Sequence, residues 1–137
     1  MDTYMYILKR KSNAEQVKDK IVNILNKHGL NVTGLVIYNG SAISIEDEDW
    51  NIRMWIRLAW DINAETCVIY MSNIKFSDRL QRRGLFTEII NALKKHKHIS
   101  NIVVQSVSTD AMRNWCKKHR FITNEYESDY YWKAFSY

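Results

Sequence analysis

The chain has 137 residues, of which 46% are hydrophobic and 26% are charged, a composition that excludes both a disordered chain and a membrane-embedded one. Its 20 basic residues outnumber 15 acidic ones, and the formal charge of +5 favours a polyanionic ligand or surface. At this length the sequence predicts one domain over residues 1–137, large enough to bury a single core.

The amino terminus and the cysteines both indicate the cytoplasm. The polar start at Met1 lacks a signal-peptide pattern, and no apolar run approaches the roughly 18 residues of a membrane span. Cys67 and Cys116 lie within apolar patterns, which favours reduced, buried thiols over a disulfide. We therefore expect a cytoplasmic protein that does not bind membranes.

The first two elements are predicted to be a strand and a helix. Residues 3–8 are rich in side chains that suit a pleated surface. Ser12 and Glu15 form a capping-box pattern, and Gly29 closes the helix that follows. The apolar stripe of that helix consists of Val17, Ile21, Ile24 and Leu25.

A β-hairpin is predicted at Asn39-Gly40, because both residues tolerate positive φ and strand-like runs at 32–38 and 42–45 flank them. The acidic run at residues 46–49 is interpreted as a solvated turn. Its functional alternative is an attractor for a cationic substrate.

Two further strands are predicted before the centre of the chain. Apolar residues alternate with large polar-edged ones from Ile52 to Leu58, which indicates a strand with one buried face. The apolar run from Cys67 to Met71 predicts the next strand, whose exit through Ser72 is less regular.

An anion site is predicted where the Cys67 strand leads into a helix. Residues 81–86 contain two arginines and one glycine, and they lead into an apolar stripe of helical spacing formed by Phe86, Ile89, Ile90 and Leu93. At a helix N-terminus, free backbone N–H groups and the helix dipole point at the same spot. Gly84 would let the backbone approach a ligand closely, so we interpret the segment as a diphosphate cradle.

The carboxyl-terminal third is predicted to hold three strands and a helix. Residues 102–107 are typical of a buried strand, and Thr109 can cap a helix whose stripe is Met112, Trp115, Cys116 and His119. Shorter strands are predicted at residues 120–123 and 130–137. The predicted order is β-α-β-β-β-α-β-α-β-β, an α/β (α+β) class with a mixed sheet and helices on both faces. The strands before and after the Phe86 helix must run parallel, because a helix crosses between them.

The diphosphate segment resembles the coenzyme A loop of the GCN5-related N-acetyltransferases (GNATs). That loop reads Gln or Arg, two variable residues, Gly, one variable residue, then Gly or Ala; Gln81 and Gly84 match it, and Phe86 departs at the last position. The family's closing motif has an Asn near a helix start, a Tyr seven residues on, and then Gly-Phe. The corresponding residues here are Thr109, Cys116, Arg120 and Phe121, of which the last agrees. The resemblance extends from Trp50 to the carboxyl terminus.

The resemblance implies that acetyl-CoA is the co-substrate and that its pantetheine arm lies between the two parallel strands, which family members splay apart. The amides of residues 82–86 would make the main phosphate contacts, supplemented by the side chains of Arg82 and Arg83. The implied cofactor-binding residues are Ile74, Phe76, Gln81, Arg82, Arg83, Gly84, Leu85, Phe86 and Thr109.

Two residues are candidates for the chemistry, and each has a structural alternative. The family's Tyr protonates the departing thiolate; the thiol of Cys116 at that position could do the same, or could simply fill the core beside Met112 and Trp115. Ser72 and Asn73 could hold a water that takes the amine proton, or could serve as turn formers. Residues 68–76 contain no carboxylate to act as the general base.

The four histidines do not indicate a metal site. His28, His96, His98 and His119 are not at metal-ligand spacing on a shared element, and we interpret His96 and His98 as surface cations. We therefore predict no metal.

The function implied is that of an N-acetyltransferase, which passes an acetyl group from acetyl-CoA to an amine by direct attack. The amine could belong to a small molecule, a protein or an aminoacyl-tRNA, and a homodimer is compatible with the sequence. One alternative is a catalytically silent GNAT-fold module that binds a protein partner, which the motif mismatches and the aromatic carboxyl terminus favour. Another is a basic GNAT-fold protein that acts on nucleic acid.

Overall fold

The structure is a computed structural model, described here for residues 3–38, 41–47, 49, 51–81 and 83–134. Its helices are α1 (Thr3–Lys27), α2 (Asp78–Gln81), α3 (Leu85–Lys94) and α4 (Asp110–Lys118). Its strands are β1 (Val32–Tyr38), β2 (Ala42–Asp47), β3 (Ile52–Asp61), β4 (Thr66–Phe76), β5 (Ile99–Val104), β6 (Ile122–Thr123) and β7 (Tyr130–Lys133). Within these ranges, no helix is both long enough and apolar enough to span a membrane.

All seven strands form one mixed sheet in the order β1-β2-β3-β4-β5-β7-β6. The first four strands are an antiparallel meander, β5 runs parallel to β4, and β7 returns antiparallel to β5. The predicted α+β class and the predicted parallel pair around α3 are therefore confirmed. The strand predicted at 102–107 begins earlier, at Ile99, and ends at Val104.

The amino terminus differs from the prediction, because α1 is one helix of 25 residues. The strand predicted over residues 3–8 and the capping box at Ser12 are both wrong. The Ser12 hydroxyl instead accepts a hydrogen bond from Gln16 Nε2 at 3.2 Å, one turn further along the same helix. No glycine or proline interrupts residues 3–27, and a helix that has nucleated gains a hydrogen bond with each added residue. Continuation of the helix therefore prevails over the strand propensity of the first residues.

Gly29 ends the first helix as predicted. It has φ 78°, a left-handed conformation that glycine adopts without strain. Its N–H donates to the Asn26 carbonyl at 2.9 Å, and the Leu30 N–H donates to the Leu25 carbonyl at 3.0 Å. This pair of bonds is a Schellman motif, and it turns the chain into β1.

The predicted hairpin is present as the antiparallel pair β1–β2, although its central Asn39-Gly40 lies outside the described residues. In the acidic run that follows the hairpin, Asp47 has a structural role. Asp47 is 4% exposed and accepts hydrogen bonds from the Ile52 N–H at 3.0 Å and from Asn51 Nδ2 at 3.3 Å. These bonds fix the turn into β3, so Asp47 is a buried residue at the end of β2 and not part of the predicted solvated turn.

Burial alternates along the meander, which has one covered face. The apolar residues of β3 are buried, whereas Arg53 and Arg57 are exposed, as the alternation predicted. Helices α1, α3 and α4 all contribute side chains to a single hydrophobic cluster that contains the buried residues of β3. The opposite face of the meander carries both arginines and the half-buried Trp55 and Tyr70. The predicted helices on both faces are therefore not found over this part of the sheet.

His96 is a buried neutral histidine rather than the predicted surface cation. It is 5% exposed at the end of α3, and its Nδ1 accepts a hydrogen bond from the His98 N–H at 3.1 Å. Its Nε2 has no partner among the described residues. Burial, with a smaller contribution from Lys20, lowers the pKa of His96 from 6.5 to about 4.

This pKa predicts an acid-sensitive stability. The unfolded chain takes up the proton near pH 6.5 and the folded protein only near pH 4, so the unfolded state binds more protons between these values. The free energy of unfolding should fall by up to about 3 kcal/mol as the pH drops through this window. In His96→Asn, which keeps an acceptor for the His98 N–H, urea titrations at several pH values should show a much flatter profile. Equal pH profiles for the two proteins would contradict the assignment.

The continuity of α1 can be tested with proline at an exposed position. Lys11→Pro should destabilise the protein by about 3 kcal/mol, because proline removes a hydrogen bond and clashes with the preceding turn of a helix. Lys11→Ala is the control and should be neutral or slightly stabilising. If residues 3–8 were a strand, position 11 would lie in a loop and both variants would unfold at wild-type urea concentration.

Candidate functional site

The site begins where β4 and β5 separate. Their parallel pairing ends with Met71 opposite Val104, and the last backbone bond between them runs from the Gln105 N–H to the Met71 carbonyl at 2.8 Å. Beyond this point β4 continues to Phe76 with β3 as its neighbour, while the other chain turns towards α4. The result is a gap between residues 73–76 and 105–109, of the kind that the GNAT resemblance implies.

A bulge in β4 lies at the mouth of this gap. Trp55 pairs with Ser72 and Arg53 pairs with Lys75, so β4 has one residue more than β3 between these pairs. Asn73, within the bulge, has φ 51°, a left-handed conformation that asparagine tolerates better than most residues. Bulges interrupt the regular pairing and redirect backbone and side-chain groups.

Two adjoining cavities occupy the gap. The larger has a volume of about 680 Å³ and lies between the end of β4, α2, the start of α3 and α4. The smaller, of about 140 Å³, lies between the bulge and the chain after β5. Ile74, Thr109 and Met112 line both, so the cavities are direct neighbours. Five of the predicted cofactor residues line the larger one: Ile74, Phe76, Gln81, Phe86 and Thr109.

Aromatic rings form one wall of the larger cavity. The ring of Phe86 lies 5.6 Å from that of Phe76 and 4.5 Å from that of Trp115, measured between centroids. The indole N–H of Trp115 donates to the Thr87 hydroxyl at 2.9 Å and so attaches α4 to the first turn of α3. Phe86 is therefore a core residue, as its place on the helical stripe predicted, and it leaves the cavity open.

The N-terminus of α3 offers unpaired backbone donors beside this wall. The first helical bond runs from the Glu88 N–H to the Gly84 carbonyl at 3.0 Å. The N–H groups of Leu85, Phe86 and Thr87 have no acceptor within the part of the chain that the structure describes. Gly84 has φ 70°, and a Cβ added there would meet no atom within 4 Å. Open space at Gly84, next to three free amides, is compatible with an anion such as a diphosphate.

The negative charge of Glu88, in the first turn of α3, is neutralised by its neighbours. Its carboxylate pairs with the Lys27 ammonium and with His28 Nε2, the latter at 2.6 Å. These hydrogen bonds, that of Lys27 first, lower the pKa of Glu88. The carboxylate is thus held by the end of α1, which limits its repulsion of an anion at the cradle.

The side chains of two other predicted cofactor residues, Gln81 and Thr109, hydrogen-bond to backbone groups. Gln81 Nε2 donates to the Phe76 carbonyl at 3.0 Å and ties α2 to the end of β4. The Thr109 hydroxyl accepts from the Met112 N–H at 3.2 Å, which confirms Thr109 as the N-cap of α4. Arg83, Gly84 and Leu85 do not line either cavity, and Arg82 lies outside the described residues.

Sequence reasoning missed Ser77. Ser77 lines the larger cavity, and its hydroxyl is buried without a hydrogen-bond partner among the described residues. Its carbonyl accepts from the N–H groups of Leu80 and Gln81, so Ser77 precedes the first turn of α2. Ser-Asp at positions 77 and 78 is a helix-start signal that could have drawn attention to it.

The two candidate catalytic side chains do not lie in the gap. Cys116 is 0% exposed and lines neither cavity, and burial raises its pKa to about 12. Such a thiol holds its proton more tightly than an ordinary thiol of pKa near 8.5, so the geometry favours the core alternative. Ser72 also lines neither cavity, since it follows Tyr70 on the open face of the sheet. Across the described ranges, no group of three His, Cys, Asp or Glu residues could hold a metal ion.

The antiparallel meander, the helical crossover to a parallel β5 and the gap beyond Met71 define a GNAT-like fold. The chain is similar to the structure of Arabidopsis thaliana Naa50 in complex with the bisubstrate analogue CoA-Ac-MVNAL. The two share 12% sequence identity with a TM-score of 0.46, over 66% of this chain and 69% of that chain. No protein-family model and no curated protein sequence matches the chain.

Proposed function

We propose that the protein is an acyl-CoA-dependent N-acyltransferase, which binds acetyl-CoA in the β4–β5 gap and transfers the acetyl group to an amine. The observation that carries this proposal is a pair of adjoining cavities in the gap beside the N-terminus of α3, where three amides are unpaired and Phe86 lines the larger cavity. Donors for a diphosphate at one end and a narrow cleft between strands at the other match the two parts of coenzyme A.

The chain's own residues would bind the co-substrate in three ways. The amides of Leu85, Phe86 and Thr87 would hold the diphosphate, and Arg82 and Arg83 would add charge-assisted hydrogen bonds. The apolar side chains that line the gap would exclude water from the pantetheine arm. The orphan hydroxyl of Ser77 supports a polar contact in the same cavity.

Catalysis would depend mainly on the alignment of the amine with the thioester. The amine nitrogen forms a bond to the thioester carbonyl carbon and loses one proton to water. The carbon–sulfur bond breaks, and coenzyme A leaves as a thiolate that takes up a proton from solvent. Backbone groups of β4 beyond Met71, which β5 no longer pairs, would polarise the carbonyl, and the cavity would align amine and thioester. No titratable side chain lines the smaller cavity in the described ranges, which favours water as the proton acceptor.

The cradle is tested by placing a negative charge at its glycine. Gly84→Asp should weaken coenzyme A binding at least about tenfold, because a carboxylate beside the diphosphate repels it. Gly84→Asn is the matched control, since asparagine has the same shape without the charge and both residues tolerate the left-handed conformation. Calorimetry with coenzyme A on folded variants is the measurement. Equal affinities for the two variants would remove Gly84 from the site.

Wild-type binding is the first requirement for this comparison. Acetyl-CoA at a hundred times its dissociation constant should raise the free energy of unfolding by about 2.7 kcal/mol. No stabilisation by either acetyl-CoA or coenzyme A would overturn the proposed function.

The role of Cys116 is tested by truncation. Cys116→Ala should lower the free energy of unfolding by about 1 kcal/mol, because it leaves a small void in the core. Release of coenzyme A thiol from acetyl-CoA, assayed with a panel of primary amines, should proceed at the wild-type rate per folded molecule. A loss of about a hundredfold in turnover with unchanged affinity would instead establish the thiol as an acid.

A second candidate is a GNAT-fold module that binds coenzyme A or a partner without turnover. It is favoured by the lack of a titratable group on the smaller cavity, as far as the described residues extend, and by the burial of Cys116. Acetyl-CoA binding without thiol release for any amine in the panel would support the module over the enzyme.

A further inference from the structure

A separate cavity, lined by polar side chains, lies at the end of β4 opposite the β4–β5 gap. It is called the polar cavity below. It has a volume of about 300 Å³ and lies between α1, the β3–β4 turn and the loop before β5. Glu65, on its rim, is nine residues from Ile74 in the acetyl-CoA gap, or roughly 30 Å along an extended strand. The cavity is therefore separate from the proposed acyl-transfer site.

One face of α1 supplies its wall with polar side chains. Lys9, Ser12, Asn13 and Gln16 recur at the spacing of a helical stripe, and all four line the cavity. Asn13 is 2% exposed, although helices usually bury apolar side chains at such positions. Ser12 and Gln16 are exposed at the mouth of the cavity, so Asn13 is the buried member of this polar stripe.

Two buried side chains on this cavity have unsatisfied hydrogen-bonding groups. The amide nitrogen and oxygen of Asn13 have no hydrogen-bond partner of good geometry among the described residues, and its polar neighbour is the weakly bonding thiol of Cys67. The buried Nε1 of Trp60 also lacks an acceptor there. Buried polar groups in native proteins are nearly always paired with protein, ordered water or a ligand.

The charges around the cavity favour an anion. Lys9 forms an ion pair with Glu65, so these two charges compensate each other at the rim. Lys97 lines the cavity and forms no salt bridge with any described residue. His98 adds a further ring, 5.5 Å from that of Trp60 and edge-on to it. The available donors are thus the Lys97 ammonium, the Trp60 N–H and the Asn13 amide, which together suit a carboxylate or phosphate.

We propose that this cavity binds a small anion, a metabolite that carries a carboxylate or phosphate group together with a hydrogen-bond donor. Its charged oxygens contact Lys97 and the Trp60 N–H, and its donor meets the Asn13 carbonyl oxygen. The ligand joins α1 to the β3–β4 turn and to the loop before β5, and it satisfies the groups that the fold leaves unpaired.

The test is thermal unfolding in the absence of coenzyme A. Sodium phosphate and sodium malate, a carboxylate with a hydroxyl donor, are compared at millimolar concentrations with sodium chloride at equal ionic strength. One of the two anions should raise the Tm by several degrees above the chloride control. The more effective one identifies the group, phosphate or carboxylate, that the site prefers. No rise with either anion would overturn the proposal and leave the cavity to water.

Variants show whether any rise comes from this cavity. Asn13→Leu has the same branched shape without the amide; it should raise the Tm in plain buffer and abolish the response to the anion. Lys97→Gln should reduce the response while it leaves the Tm in plain buffer unchanged, and Lys11→Gln, on another face of α1, should respond like the wild type. An equal response of wild type and Lys97→Gln would overturn the proposal, even if Asn13→Leu failed to fold. These outcomes do not depend on acetyl-CoA binding, so the proposed function can fail independently.

Discussion

The end of the hydrogen-bonded ladder between β4 and β5 is the constraint on which the candidate site depends. Two parallel strands stay together only where their backbone groups bond, and the last bond here runs from Gln105 to Met71. Because β3 continues to pair with β4 as far as Phe76, β4 remains in the sheet while the other chain departs towards α4. The gap, its two cavities and the unpaired backbone of β4 all follow from this divergence.

The periodicity of apolar residues predicted most of the sheet, because a regular apolar pattern places these residues on one face of a strand or helix, and that face must be buried. The alternation in β3 and the apolar stripe of α3 are both of this kind, and the parallel β4–β5 pair follows from the helix between them. The amino terminus has no such pattern. Residues 3–8 suit a strand by composition, yet the first helix breaker is Gly29, and the uninterrupted chain before it forms one helix.

The sequence predicted the parts of the candidate site that are local backbone features. It did not predict the parts that depend on which side chains the fold buries. The loop before α3 and the cap at Thr109 are local features, and local sequence indicates them. Cys116, by contrast, fits its apolar stripe equally well as an acid or as a core residue, and only the fold separates the two. His96 is neutral because distant elements bury it, and the orphan hydroxyl of Ser77 depends on the cavity around it.

The unbroken first helix has a mechanical consequence. At 25 residues α1 is roughly 37 Å long. Asn13, near its middle, borders the polar cavity, whereas Lys27 and the adjoining His28 grip Glu88 beside the diphosphate cradle. This one continuous helix therefore connects the polar cavity with the residues beside the diphosphate cradle. If a ligand at one site changed the affinity at the other, linkage would require the same factor in both directions.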